Sequence, residues 1–91
     1  MARKALISKK QTFRYTAHDA QSVLLVGDFT HWQSQPIALR KGADGIWSAT
    51  VELAPGTHSY RFIVDGEWRD DPECTLRVPN PYGSHNSVRT V

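Results

Sequence analysis

At 91 residues the chain holds one domain and lacks the length for a second hydrophobic core. Its 40% hydrophobic and 22% charged residues describe a globular chain, not a disordered one. A formal net charge of +2 is too weak to argue for a nucleic-acid or membrane partner.

Cys74 is the only cysteine, so an internal disulfide is ruled out, which agrees with a reducing compartment. No apolar run suits a signal peptide or a membrane span, and the expected location is the cytoplasm. Arg3, Lys4, Lys9 and Lys10 make residues 1–10 a flexible basic segment ahead of a domain spanning 11–91.

Period-2 runs separated by turn residues dominate the chain, and no long 3.6-period stretch appears. Residues 12–16 read as a first strand with Phe13 and Tyr15 on one face. Residues 22–27 form an apolar run that suits a central strand, followed by a polar, aromatic loop over 29–36 in which Phe29 anchors to the core. A short strand runs through Ile37, Ala38 and Leu39, and a turn occupies 41–45. Residues 46–53 alternate cleanly, with Trp47, Ala49, Val51 and Leu53 on one face. Ala54-Pro55-Gly56 predicts a hairpin, because Pro presets the turn and Gly accepts positive φ. The next strand, over 57–65, sends Tyr60, Phe62 and Val64 inward and Ser59, Arg61 and Ile63 outward. Asp65-Gly66 then suits a type I′ turn, the strongest short hairpin signal in the chain. An irregular stretch with Pro72, Pro79 and Pro81 precedes a last strand over 86–91. Short strands with Gly and Pro turns indicate an all-β antiparallel sandwich.

The Asp65-Gly66 turn carries a geometric consequence. With these two residues as the loop, Val64 lies opposite Glu67 and Ile63 lies opposite Trp68. Trp68 then shares the outward face with Ile63 and Arg61. An indole beside a guanidinium is a flat apolar platform with hydrogen-bond donors at its rim. Sugar rings offer an apolar C–H face and an edge of hydroxyls, which such a platform matches. The alternative is a Trp68 folded over the sheet as a lid on Ile63. Trp32 is either a second platform or a second core plug, and Trp47 belongs to the core.

These segments are recognisable. Val23-Leu24-Leu25-Val26-Gly27-Asp28-Phe29-Thr30-His31-Trp32 resembles the GxFNxW segment of the glycogen-binding domain in AMP-activated protein kinase β subunits. Thr57-His58-Ser59-Tyr60-Arg61-Phe62-Ile63-Val64-Asp65-Gly66-Glu67-Trp68 resembles that family's hxYKFxVDGxW hairpin, and Asp71-Pro72 matches the DP that follows it. The same module, carbohydrate-binding module family 48, precedes the catalytic domain of isoamylases and glycogen-branching enzymes. The resemblance runs from about Phe13 to the C-terminus.

It implies an immunoglobulin-like early-set sandwich that binds α-1,4-linked glucans such as glycogen, starch or maltooligosaccharides. The family's stacking tryptophans fall on Trp32 and Trp68, and its basic hairpin residue, usually Lys, falls on Arg61. Its final loop contributes an apolar residue, a hydroxyl residue and an Asn, which fall on Tyr82, Ser84 and Asn86. Tyr82 departs from the usual aliphatic residue, and Thr30-His31 replaces the customary Asn pair before the first tryptophan.

No catalytic constellation accompanies this surface. His18, His31, His58 and His85 are scattered without a metal-ligand spacing, so neither a metal nor a cofactor is expected. Asp28, Asp65, Asp70 and Asp71 are accounted for by loops, a turn and the stop before Pro72, and a domain this thin leaves little room for a deep pocket. The expected function is non-catalytic glucan binding. Competing readings are a scaffold that docks a protein of a kinase-type or amylolytic complex, and an accessory piece of a larger amylolytic enzyme. A kinase or a glycogen- or starch-metabolising enzyme is accordingly the partner class.

Overall fold

The computed structural model describes residues 8–74, 76–80 and 85–91. Residues 1–7, most of the basic segment expected to be flexible, lie outside that range, with Thr75 and residues 81–84. Among the described residues the strands are β1 (Lys9–Thr16), β2 (Val23–Gly27), β3 (Ile37–Ala38), β4 (Arg40–Lys41), β5 (Ile46–Leu53), β6 (Thr57–Val64), β7 (Glu67–Arg69), β8 (Arg77–Pro79) and β9 (His85–Thr90). They form two antiparallel sheets. One has the order β1-β5-β4; the other runs β3-β2-β6-β9-β8, with β7 also pairing β6. This is the expected all-β sandwich.

Alternation explains the core. Phe13 of β1, Trp47 and Leu53 of β5, Val23 and Leu25 of β2, and Tyr60 and Phe62 of β6 meet between the sheets. Phe13 stands edge-on to Tyr60, ring centroids 4.9 Å apart. Each such side chain, fully buried, contributes about 1.5–3 kcal/mol, an upper bound because unfolded chains already hide some surface. As a central strand, β2 is buried on both faces: Val26 points away from this cluster, opposite Arg61, and is 0% exposed. Phe29 packs against the core beside Phe13, as expected.

Three elements differ from the sequence reading. Ala54-Pro55-Gly56 does not close a hairpin. It carries the chain from one sheet to the other, since β5 pairs β1 and β4 while β6 pairs β2, β7 and β9. Turn chemistry specifies that a chain reverses, not which sheet it enters next. The stretch around Pro79 contains β8, an edge strand, where a missing N–H costs no ladder bond. Strand β1 also begins three residues earlier than predicted, with Lys9 paired to Leu53.

After β7 the chain is held by Asp71, a carboxylate only 5% exposed. The Tyr60 hydroxyl donates to Asp71 Oδ2 at 2.6 Å, and the Glu73 amide donates to its Oδ1 at 2.9 Å. The Asp71 amide donates to Ser87 Oγ on β9. Cys74 is half-buried, its thiol near the carbonyls of Leu76 and Val88 at 3.2 and 3.3 Å. Burial first, and the adjacent Asp71 carboxylate second, push the Tyr60 phenol well above its ordinary range.

The sign follows from linkage. A folded-state pKa above the unfolded value of about 10 gives stability that is fully present below that pH and lost as pH rises beyond it. Tyr60→Phe is expected to cost about 1–3 kcal/mol at pH 7, because Asp71 loses its buried donor. The cost should shrink above about pH 10, where only the wild-type unfolded chain gains from ionising this phenol. Urea denaturation at pH 7 and pH 10.5 checks it; a pH-independent difference contradicts the coupling.

Candidate functional site

The outward face of β6 and its hairpin with β7 form the candidate site. Asp65 and Gly66 have φ of 49° and 85°, the paired left-handed conformation of a type I′ turn, which Gly66 adopts without a Cβ penalty. Asp65 also accepts the amides of Gln21 and Ser22 at 2.8 and 2.9 Å, tying the turn to the entry of β2. The register is Val64 to Glu67, Ile63 to Trp68 and Phe62 to Arg69, as the turn predicts.

Trp68 answers to both readings at once. It lies directly across from Ile63, which is 8% exposed, while the indole itself remains 40% exposed. Its inner surface is a lid and its outer surface is open. Arg61 lies two positions along the same face, its guanidinium carbon 5.5 Å from the indole centroid. That distance is within cation–π range.

Strands β7 and β9 share one edge of β6, β7 pairing residues 62–64 and β9 pairing residues 57–60. Arg61 sits at the gap between them. There the chain leaves β7 and sends Asp70 back to Arg61, with Nε and Oδ1 3.2 Å apart. Both atoms are shielded from solvent and neither makes an aligned hydrogen bond, so the contact is ionic. The β6–β9 pairing ends at Tyr60–Ser87; by alternation Asn86, next to the buried Ser87, falls on the outward face that Arg61 shares. Asn86 Oδ1 accepts the Asn80 side-chain amide at 3.1 Å.

Trp32 reaches the same sheet by another route. At the end of β2 the strand gives way to two single 3-10 turns, Asp28–Thr30 and Trp32–Ser34, the second packed beside β2. A Cβ on Gly27 would lie 2.5 Å from the Ser59 carbonyl, so only glycine lets the chain pass there. Asp28 takes over the ladder with its side chain, accepting the Ser59 amide at 3.0 Å and facing His58 at 3.4 Å. The buried Thr30 hydroxyl accepts the Gly27 amide at 2.9 Å and donates to the Trp32 carbonyl at 2.7 Å. His31 and Trp32 both adopt left-handed φ, 51° and 55°. Trp32 emerges half-buried.

The structure therefore brings Arg61 and Trp68 together, and Asn86 lies on the same outward face. Trp32 stands on a separate loop beyond β2, and no ring contact joins it to Trp68 among the described residues. Tyr82 and Ser84 lie outside the described residues. Trp47 is in the core, as expected, with its indole N–H donating to the Ala17 carbonyl at 2.9 Å. Sequence reasoning missed Asp70, Asn80 and Thr30; the Asp-Asp pair before Pro72 was the one available signal for the first.

An open cavity of about 430 Å³ lies on the other side of β6, lined in part by Tyr60, Asp71, Cys74 and Arg89. Two of its charged groups are engaged internally. Asp71 holds Tyr60, and Arg89 donates to Gln11 and Thr12 and stacks 4.2 Å from the Phe13 ring centroid.

Comparison with known proteins bears on this surface. The family described as the glycogen recognition site of AMP-activated protein kinase matches residues 10–91. The chloroplastic protein FLOURY ENDOSPERM 6 of Oryza sativa subsp. japonica is 37% identical over 99% of this chain, which spans 16% of that protein. The β-1 subunit of 5'-AMP-activated protein kinase from Sus scrofa is 32% identical over 92% of this chain and 65% of its own length. The chloroplastic phosphoglucan phosphatase LSF1 of Arabidopsis thaliana is 39% identical over 64% of this chain and 10% of its own length. Matched over nearly its whole length, the chain belongs to the glycogen-recognition family of AMP-activated protein kinase.

Proposed function

We propose that this domain binds α-1,4-linked glucan on the outward face of the β6–β7 hairpin, without catalysing a reaction on it. The observation that carries the reading is the Arg61 guanidinium 5.5 Å from the ring centroid of an exposed Trp68. The indole surface shields the C–H face of a glucose ring, and the guanidinium presents donors to its hydroxyls. Asn86 adds an amide at the same edge. Trp32, half-buried on its own loop, provides a second resting surface farther along the polymer. Tyr82 and Ser84 complete the set by family resemblance.

Such a platform is shallow and wet. Each sugar–protein hydrogen bond replaces one to water, so affinity comes mainly from stacking and is modest. Modest affinity suits a module that holds a larger activity against a polymer, where many equivalent sites raise the effective concentration. The relatives named above are all longer than the match, and one is a kinase subunit. A kinase or a glucan-metabolising enzyme is accordingly the partner class.

Maltoheptaose is expected to change the tryptophan fluorescence of the wild-type chain in a saturable way. Trp68→Ala should weaken that binding at least about tenfold while the fold is retained, since aromatic anchors dominate such surfaces. A wild-type titration without saturation overturns the assignment. Thr30→Val keeps the side-chain shape but leaves the buried Gly27 amide unpaired, at a cost of about 1–3 kcal/mol in urea denaturation. Because the Trp32 backbone loses its tether, maltoheptaose affinity should fall as well. Wild-type stability in this variant contradicts the role assigned to the hydroxyl.

A further inference from the structure

We propose that Asp70 is a positioning residue for glucan recognition, holding the Arg61 guanidinium against Trp68 so that its two terminal nitrogens face the sugar. The inference rests on the glucan reading above. Three observations support it. Arg61 Nε and Asp70 Oδ1 lie 3.2 Å apart, and both atoms are sealed from solvent. The guanidinium carbon is 5.5 Å from the Trp68 centroid. No described residue takes a hydrogen bond from the terminal nitrogens of Arg61.

A guanidinium is planar, so fixing one edge and one face leaves a single direction for the rest. Asp70 occupies the Nε edge, and the guanidinium carbon lies over the Trp68 ring. These two contacts orient the remaining two-pronged edge. A lysine could not be held this way, because an ammonium tethered by a carboxylate has no second rigid prong to present. Asp70 therefore makes an arginine at this position a preset donor pair for neighbouring hydroxyls on one glucose. It also saves the rotamer entropy that a free arginine would lose on binding.

The backbone explains why Asp70 is available. At Arg61 the edge of β6 passes from β7 to β9, and the chain leaving β7 must cross that gap. Consecutive residues there point to opposite faces. Asp71 goes inward to Tyr60, and Asp70 goes outward to Arg61.

The test is maltoheptaose titration of wild type, Asp70→Ala, Arg61→Ala and the double variant. It is combined with the ¹⁵N-correlated signals of the Arg61 Nε–H and the Trp68 indole N–H. Asp70→Ala is expected to weaken binding about fivefold, within the range for partly exposed ion pairs. It should also expose the Arg61 Nε–H to solvent exchange and move the Trp68 indole signal. In the Arg61→Ala background the same change should have no further effect on affinity. Asp70→Ala binding as tightly as wild type overturns the proposal, and so does an equal loss in the Arg61→Ala background, which marks a merely structural role. Should Asp70→Ala fail to fold, Asp70→Asn serves in its place, with weaker binding and faster Nε–H exchange expected and wild-type values overturning the proposal. A wild-type chain that does not bind maltoheptaose instead sinks the glucan reading itself.

Discussion

Strand β6 serves the core and the candidate site on alternate residues, and this alternation constrains everything around it. Tyr60 and Phe62 are packed between the sheets while Arg61 and Ile63 face out. A slip of one residue would exchange the two sets, burying a guanidinium and exposing two aromatic rings. The core thus enforces the register that aims Arg61 and, through the hairpin, Trp68. Asp70 and Asp71 complete the grip from both sides of the strand, one ionic and partly exposed, the other buried and hydrogen-bonded.

This arrangement lets a small domain keep a polar binding face without a pocket. A sandwich of this size has little apolar surface to spare for lining a cavity, and its margin of stability is thin. A flat site avoids that demand. Trp68 shields Ile63 with one face and leaves the other open, so the residue proposed as a sugar platform also contributes to packing.

Much of this was legible because its signals are local. Asp65-Gly66 is a two-residue turn with one favoured geometry, and counting outward from it placed Trp68 across from Ile63 and beside Arg61. Alternation likewise placed Trp47 inward. Features that depend on where distant strands go were not legible. Ala54-Pro55-Gly56 looks like a hairpin turn whether or not its flanking strands share a sheet. Asp70 reads as a strand terminator until the gap between β7 and β9 shows what it faces. Thr30 substitutes for an asparagine in the loop, and its hydroxyl's partners are set by backbone geometry that composition does not encode.

The loop before Trp32 shows how the fold pre-sets its second indole. Two consecutive non-glycine residues, His31 and Trp32, hold left-handed φ, at a cost of about 1–2 kcal/mol each. Glycine at 31 would relieve part of that strain, yet it would also free the loop to sample other conformations. Ordering a mobile loop would then be charged against binding, where a shallow site has little free energy to spare. Here the ordering happens on folding instead. The Thr30 hydroxyl, the Gln35 amide on the Thr30 carbonyl at 3.0 Å and the Ser34 amide on the His31 carbonyl at 3.2 Å hold the strained pair. Asp70 acts on Arg61 in the same way. In both places a side chain outside the proposed sugar contacts fixes one within them, before any ligand arrives.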